Sequence, residues 1–234
     1  MSNLNARETF KVDYDLNEYN YTLYYYDQAG NLVQTVPPQG VRPDQSGIFL
    51  NAVATHRITP LSDPPITPDH KLVTRYKYNS LQQLIEQETP DGGLTTFFYD
   101  AIGRLVVSQN ARQKVYNLPP YNQPNPSYSY TIYDDLSRVV EVGEIDHATL
   151  MTYAISRDNN PNPTLNLLKL WLADVTATKN EITRTFYEAP LNATVDNYFG
   201  VLGQQHLRNR VSSTVYEDSD DGNVNTYDNA CHYS

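Results

Sequence analysis

Tyr25-Tyr26-Asp27-Gln28-Ala29-Gly30-Asn31-Leu32 and Phe98-Tyr99-Asp100-Ala101-Ile102-Gly103-Arg104-Leu105 share one frame: aromatic, Tyr, Asp, two free positions, Gly, polar, Leu. A third copy, Ile132-Tyr133-Asp134-Asp135-Leu136-Ser137-Arg138-Val139, has Ser in the Gly position. A fourth, Lys77-Tyr78-Asn79-Ser80-Leu81-Gln82-Gln83-Leu84, has Asn for Asp and keeps Tyr and the final Leu. Each copy reads as a β-hairpin. Residues 19–26 alternate, with Tyr19, Tyr21, Leu23 and Tyr25 on one strand face and Asn20, Thr22, Tyr24 and Tyr26 on the other. Asp27 to Gly30 is the turn, because Asp bonds its own backbone two residues on and Gly accepts positive φ. Asn31 to Val36 is the return strand.

The same pattern predicts strands at 71–78, 82–88, 94–99, 104–109, 128–133 and 138–142, and Thr89-Pro90-Asp91-Gly92-Gly93 is a strong turn between two of them. A further strand at 181–188 carries Phe186-Tyr187-Glu188, a weak echo of the motif. The motif tyrosines at 26, 78, 99 and 133 are unevenly spaced, and Pro-rich insertions at 37–43, 60–68 and 119–126 fill the gaps. Pro cannot serve a central ladder, so these insertions are expected at the surface or at sheet edges. Thr164 to Asp174 lacks Pro and Gly; its apolar run fits either a short helix or a strand with an apolar face.

Composition agrees with many short strands. The 234 residues include 20 Tyr, 15 Pro and 10 Gly against six Phe and one Trp. Mean hydropathy is −0.58, low for a tightly packed globule. Yet only 19% of residues are charged and 12% are aromatic, which does not fit a disordered chain. Tyrosine resolves the discrepancy, since its ring packs on a pleated surface while its hydroxyl stays hydrogen-bonded. A formal net charge of −10 with no basic run argues against nucleic-acid binding and against an anionic membrane surface. No apolar run approaches the roughly 18 residues that span a bilayer, and the first residues show no charged-then-apolar signal peptide. One cysteine, Cys231, excludes an internal disulfide framework.

The Tyr-Asp-x-x-Gly-Arg/Asn-Leu frame resembles the YD repeat of bacterial Rhs proteins, of toxin-complex cocoon subunits and of the teneurin shell. Residues 25–41 and 96–112 extend that likeness, and the stretch 225–234 resembles the lead-in to another repeat. The resemblance implies an all-β fold in which repetitive antiparallel hairpins form a curved sheet, a segment of a spiral shell, with at most a short helix near 164–174. The whole of 1–234 is then one array segment, incomplete at its C-terminus. Its repeat cores lie near 25–36, 76–84, 97–108 and 130–142, with weaker ones at 183–188 and 214–234. The structural motif positions are Tyr26, Asp27, Gly30, Leu32, Tyr78, Leu84, Tyr99, Asp100, Gly103, Arg104, Leu105, Tyr133, Asp134 and Arg138. In toxin-associated members the shell encloses a C-terminal toxic domain and is often closed by an autoproteolytic aspartyl motif. Here the Asp63-Pro64 pair sits in a Pro-rich loop without the family's following residues, and no toxin domain follows.

The expected function is therefore a non-catalytic shell segment. Its partners are the remaining repeats and an enclosed polypeptide, and the larger protein is secreted or at the cell surface. No cofactor and no metal are expected. Asp218-Ser219-Asp220-Asp221-Gly222-Asn223 fails the EF-hand order and reads as a hydrated turn. His56, His70, His147, His206 and His232 show no metal-ligand spacing and read as surface or lining histidines. Cys231 and His232 are adjacent and fall on opposite strand faces. Glu141 and Glu144 read as a solvated strand end, and Asn20-Tyr21-Thr22 and Asn192-Ala193-Thr194 match the glycosylation pattern without consequence in a bacterial-type protein. No nucleophile elbow, phosphate loop or dinucleotide fingerprint occurs. The alternative is a cell-surface adhesion or carbohydrate-binding module that uses an exposed tyrosine face.

Overall fold

A computed structural model describes residues 11–12, 21–58, 66–114, 124–220 and 228–232. Tyr19, Asn20, Asp63-Pro64, Asp221 to Asn223, half of 225–234, and parts of the Pro-rich stretches 60–68 and 119–126 lie outside the described residues. The chain divides into two compact units, Met1–Tyr25 with Thr35–Val73, and Tyr26–Gln34 with Thr74–Ser234.

In the first unit, β1 (Leu23–Tyr26) supplies Tyr25, half-buried, while Tyr24 is exposed, as the alternation predicts. Part of the insertion at 37–43 forms a single 3-10 turn, Pro38–Gly40, whose proline start suits a position that donates no hydrogen bond. Gly40 is buried, and a Cβ there would lie 2.0 Å from the Lys71 carbonyl oxygen. Helix α1 (Gly47–Ile58) starts where Ser46 Oγ accepts the Phe49 N–H at 3.2 Å. None of its residues is buried. Its apolar residues lie all round the axis, so no helical stripe announced it.

The second unit is a meander. Strands β2 (Leu32–Val36, of which Leu32–Gln34 belong to this unit), β3 (Thr74–Tyr78), β4 (Leu84–Thr89), β5 (Gly93–Tyr99), β6 (Leu105–Gln109), β7 (Ser127–Tyr133), β8 (Val139–Asp146), β9 (Thr178–Tyr187), β10 (Val211–Ser219) and β11 (Asn229–His232) follow chain order across one sheet. Pairings from β3 to β11 are antiparallel. The fold is thus the expected all-β curved sheet.

A device for the curvature repeats. Tyr78 pairs with Leu84, Tyr99 with Leu105, Tyr133 with Val139 and Tyr187 with Val211, and a register shift adjoins each pair. The extra residue on the return strand is Ile85, Val106, Val140 or Ser212. A bulge bends its strand and increases local twist, so a bulge at the same place in these four pairings curves the sheet cumulatively.

Three more helices occur among the described residues: α2 (Tyr153–Ser156), α3 (Leu167–Leu172) and α4 (Ala193–Tyr198). The sequence predicts one short helix near 164–174 at most; α3 fulfils that, whereas α1, α2 and α4 exceed it. Asn166 fixes α3 by accepting the Lys169 N–H at 2.9 Å, and Thr152 caps α2 through the Ile155 N–H. Helices α2 and α3 belong to the β8–β9 connection and cover one sheet face. Met151, Leu168 and Trp171 from this cover join Phe98, Val106, Val107, Tyr128, Tyr130 and Ile145 in one hydrophobic cluster. Trp171 meets Tyr128 edge-on with centroids 5.3 Å apart, and its Nε1–H donates to the Thr149 carbonyl at 2.8 Å.

Candidate functional site: the turn ladder

Each motif turn is a three-residue loop closed by a left-handed residue. The Asp27 N–H donates to the Asn31 carbonyl at 2.9 Å, and the Gly30 N–H to the Asp27 carbonyl at 3.1 Å. The same two bonds recur at Asn79–Gln83, Asp100–Arg104 and Asp134–Arg138. The loop therefore demands positive φ at its third and last residue, found at +84° for Gly30, +59° for Gln82, +90° for Gly103 and +63° for Ser137. Asp100 Oδ1 accepts the N–H groups of Ile102 (3.1 Å) and Arg104 (2.8 Å), and Asp134 Oδ1 does the same for Leu136 and Arg138.

Left-handed backbone costs an ordinary residue roughly 1–2 kcal/mol, against about 0.5–1 kcal/mol of extra unfolded-state entropy for Gly. Gln82→Gly is therefore expected to stabilise by about 0.5–1 kcal/mol, raising Tm by about 1–4 °C. Ser137→Gly is expected to be close to neutral, because it also removes the hydroxyl that accepts from Arg104 Nη1 at 3.1 Å. Thermal melts of the two variants check the contrast; equal shifts would refute it.

The polar position after Gly does more than fill the frame. Arg104 and Arg138 each place Nε 2.7 Å from Oδ2 of their own turn's aspartate. Asn31 Nδ2 donates to Asp27 Oδ2 at 2.9 Å in the same manner. The Asp27 carboxyl sits below its ordinary pKa, chiefly through the Asn31 side-chain hydrogen bond. The desolvation that would raise Asp134 is outweighed by its bonds from the Arg138 backbone and side chain.

The same side chains also reach the following turn. Arg104 lies 4.6 Å over the Tyr133 ring, and Arg138 lies 4.3 Å over the Tyr187 ring. Arg138 Nη1 meets Glu188 Oε1 at 3.0 Å, and Gln83 Nε2 donates to the Gly103 carbonyl at 3.1 Å. Returning contacts come from the motif tyrosines. Tyr99 Oη donates to the Leu84 carbonyl, Tyr133 to Leu105 and Tyr187 to Val139, each at 2.9 Å. Burial raises the Tyr99 and Tyr133 phenols above their ordinary range, so they remain donors at any physiological pH. Tyr26, Leu32 and Tyr78 flank their own turns, with Tyr26 exposed.

A fifth turn escaped the sequence because an insertion splits it. Glu188 stands in the Asp position, and its N–H donates to the Arg210 carbonyl at 3.2 Å, the closing bond of the other turns. Asn209 at φ +58° takes the Gly position, and Asn209-Arg210-Val211 repeats Gly103-Arg104-Leu105. Residues 189–208, with α4, are an excursion from that loop. The signal was present in the Asn-Arg-Val triplet, but it lies far along the chain from Tyr187.

Beneath the ladder, Glu141 on β8 stands opposite Arg184 on β9, and Glu217 on β10 lies diagonally from Arg184, two residues beyond its partner Val215. Arg184 Nε lies 2.9 Å from Glu141 Oε2, its Nη1 contacts Glu217, and Nη2 lies 3.2 Å from Asp220. Lys179 Nζ and Tyr130 Oη also reach Glu141 Oε1, at 2.9 and 2.7 Å. Burial alone would raise the Glu141 carboxyl, but these donors hold it below its usual range. Glu141 is therefore half-buried, its side chain 15% exposed, in place of the solvated strand end expected from sequence; its neighbours on β9 are what allow the charge there. Glu144 is half-buried and bonded by Gln113 Nε2 at 3.3 Å.

Two histidines correct the surface expectation. His70 is 8% and His147 2% exposed, and in each ring Nδ1 accepts a backbone N–H. His70 Nδ1 accepts from Arg42 at 3.0 Å while Nε2 lies 2.9 Å from Tyr25 Oη. Among the described residues, no three His, Cys, Asp or Glu side chains stand close enough to hold a metal ion, and no helix is long and apolar enough to cross a membrane.

Residues 73–114 match the RHS repeat family. No curated protein matches the chain with significance. Similar solved structures include the crystal structure of TcdB2-TccC3-Cdc42, with 15% identity over 86% of this chain and a TM-score of 0.36. That of TcdB2-TccC3-TEV gives 13% over 91% and 0.35. A Photorhabdus luminescens Tc holotoxin pore with a substituted TccC3 gives 16% over 89% and 0.36. The chain spans 7% of the first of those chains and 8% of the other two.

Proposed function

We propose, from the RHS repeat that residues 73–114 form, that this chain is a non-catalytic stretch of an Rhs-type shell wall. Residues 1–234 act as one stretch of array, and the finished protein is exported. The wall encloses a toxin polypeptide encoded outside these residues and helps deliver it. The direction of the turn contacts carries this reading: Gln83 reaches Gly103, Arg104 reaches Ser137, and Arg138 reaches Glu188. A contact that always points to the next turn closes on nothing within its own repeat. It propagates a surface, as nearest-neighbour coupling does in repeat proteins. The mechanism is steric, since a continuous hydrogen-bonded wall keeps an enclosed chain from proteases and from its targets.

The test is limited proteolysis of the complete gene product that contains this chain. A protease-resistant enclosed polypeptide is expected, becoming sensitive when Arg104→Ala and Arg138→Ala cut the ladder. A gene product with no protected polypeptide would overturn the proposal. One observation favours a second reading: Tyr24 on β1 is 57% exposed, as a sugar-stacking ring requires. Glycan-array binding that is lost on Tyr24→Ala, with the fold intact, would replace the shell reading by carbohydrate binding.

A further inference from the structure

His147 is held as a neutral ring. Its Nδ1 accepts the Thr149 N–H at 2.9 Å, and a nitrogen that accepts an N–H carries no proton. The proton therefore sits on Nε2, which lies 3.3 Å from Asp174 Oδ2. The ring stacks on Trp171 at 4.4 Å and 12°, and the His147 backbone N–H is tied to the Pro126 carbonyl at 3.1 Å. One imidazole thus joins the start of the β8–β9 cover, helix α3 and the loop after it.

We infer that His147 is an acid-release latch for the cover formed by residues 147–177. Protonation puts an N–H on Nδ1, directly against the Thr149 N–H. The cation must then give up that bond or rotate out of the Trp171 stack, and either movement loosens the cover from Tyr128 on the sheet. The groups around the ring decide the sign. Asp174 attracts the cation but its side chain is 32% exposed and so is screened. Tyr128 presents its ring edge to Trp171, and its hydroxyl accepts from the Met151 N–H. Asp146 is engaged by Ser127, and Lys179 on β9 by Glu141. Burial therefore dominates, and the His147 pKa lies below its ordinary 6.5. A lowered folded value means that the closed state is fully favoured above about 6.5. That preference is lost as the pH falls from there through the folded value, by up to about tenfold in the closed-to-open ratio per pH unit.

The test uses the 234-residue chain and its one tryptophan. Acrylamide quenching of Trp171 fluorescence, followed from pH 8 downward, is expected to rise below about 6.5 and to reverse on neutralisation. His147→Asn, whose Oδ1 accepts the Thr149 N–H at every pH, is expected to abolish the transition. Asp174→Asn removes the charge that favours the closed cation, so release should become more complete with its midpoint moved upward. A transition that persists in His147→Asn, or a midpoint that stays or moves downward in Asp174→Asn, would overturn the latch. Should His147→Asn fail to fold, Asp174→Asn still decides, because Asn keeps the oxygen that accepts from Thr176 N–H at 2.9 Å.

Discussion

Arg184→Met should destabilise the chain by about 3–5 kcal/mol, the usual result of removing one partner from a buried ion pair. The arginine side chain is 12% exposed, and it is the counter-charge for Glu217, whose side chain is 4% exposed and whose Oε2 has no partner. Glu141 loses less, since Lys179 and Tyr130 remain. The burden therefore falls on Glu217, and Arg184→Met combined with Glu217→Leu should recover most of the loss. Acidification, which neutralises carboxylates, should narrow the gap between single variant and wild type. Urea unfolding at neutral and acidic pH measures both effects. A loss under about 1 kcal/mol would mean that the cluster is solvated like a surface ion pair. The physical use of such a cluster is register. A one-residue slip of β9 would send Arg184 to the opposite face and strand two carboxylates, so the charges allow only one pairing.

The hairpins were legible because Asp-x-x-Gly is a local instruction: a side chain that bonds nearby N–H groups and a residue that tolerates positive φ. Tyr99, Asp100, Gly103 and Leu105 could thus be assigned to strand, turn and return without knowing their neighbours. The second half of the motif was not legible. Arg104 and Arg138 read as structural positions of the frame without an assigned partner, because their partners, Tyr133 and Tyr187, belong to the next hairpin. The bulges at Ile85, Val106, Val140 and Ser212 are relations between strands, with no signature in either strand alone. Glu141 and Arg184 are 43 positions apart, and Arg184 and Glu217 are 33 apart. Only the meander brings them into one cluster. The fifth turn was hidden by the same logic in reverse, since an insertion separated two halves that the sheet keeps adjacent.

Trp171→Ala should cost about 3–5 kcal/mol, the range for emptying a buried aromatic site, and the loss should be unevenly distributed. Trp171 is 4% exposed and is the centre of the cover, touching Tyr128 edge-on and His147 face-on. Its removal leaves a void facing Ile145, Met151 and Leu168, and it deletes the donor to the Thr149 carbonyl. Strands β5 to β8 place Phe98, Val107, Tyr128, Tyr130 and Ile145 in that cluster, so their amides should lose hydrogen-exchange protection along with 147–177. Strands β3 and β4 differ because their part of the same face carries Lys77–Glu86 and Arg75–Glu88 at 3.2 and 3.4 Å, well exposed to solvent. Solvated pairs of that kind contribute at most about 1 kcal/mol each and need no cover. The β3–β4 hairpin should therefore keep its protection, held by the Tyr99 hydroxyl on the Leu84 carbonyl and by Gln83 on Gly103. If exchange instead accelerates uniformly from β3 to β10, the ladder cannot hold a hairpin without the cover, and the two would be one cooperative unit.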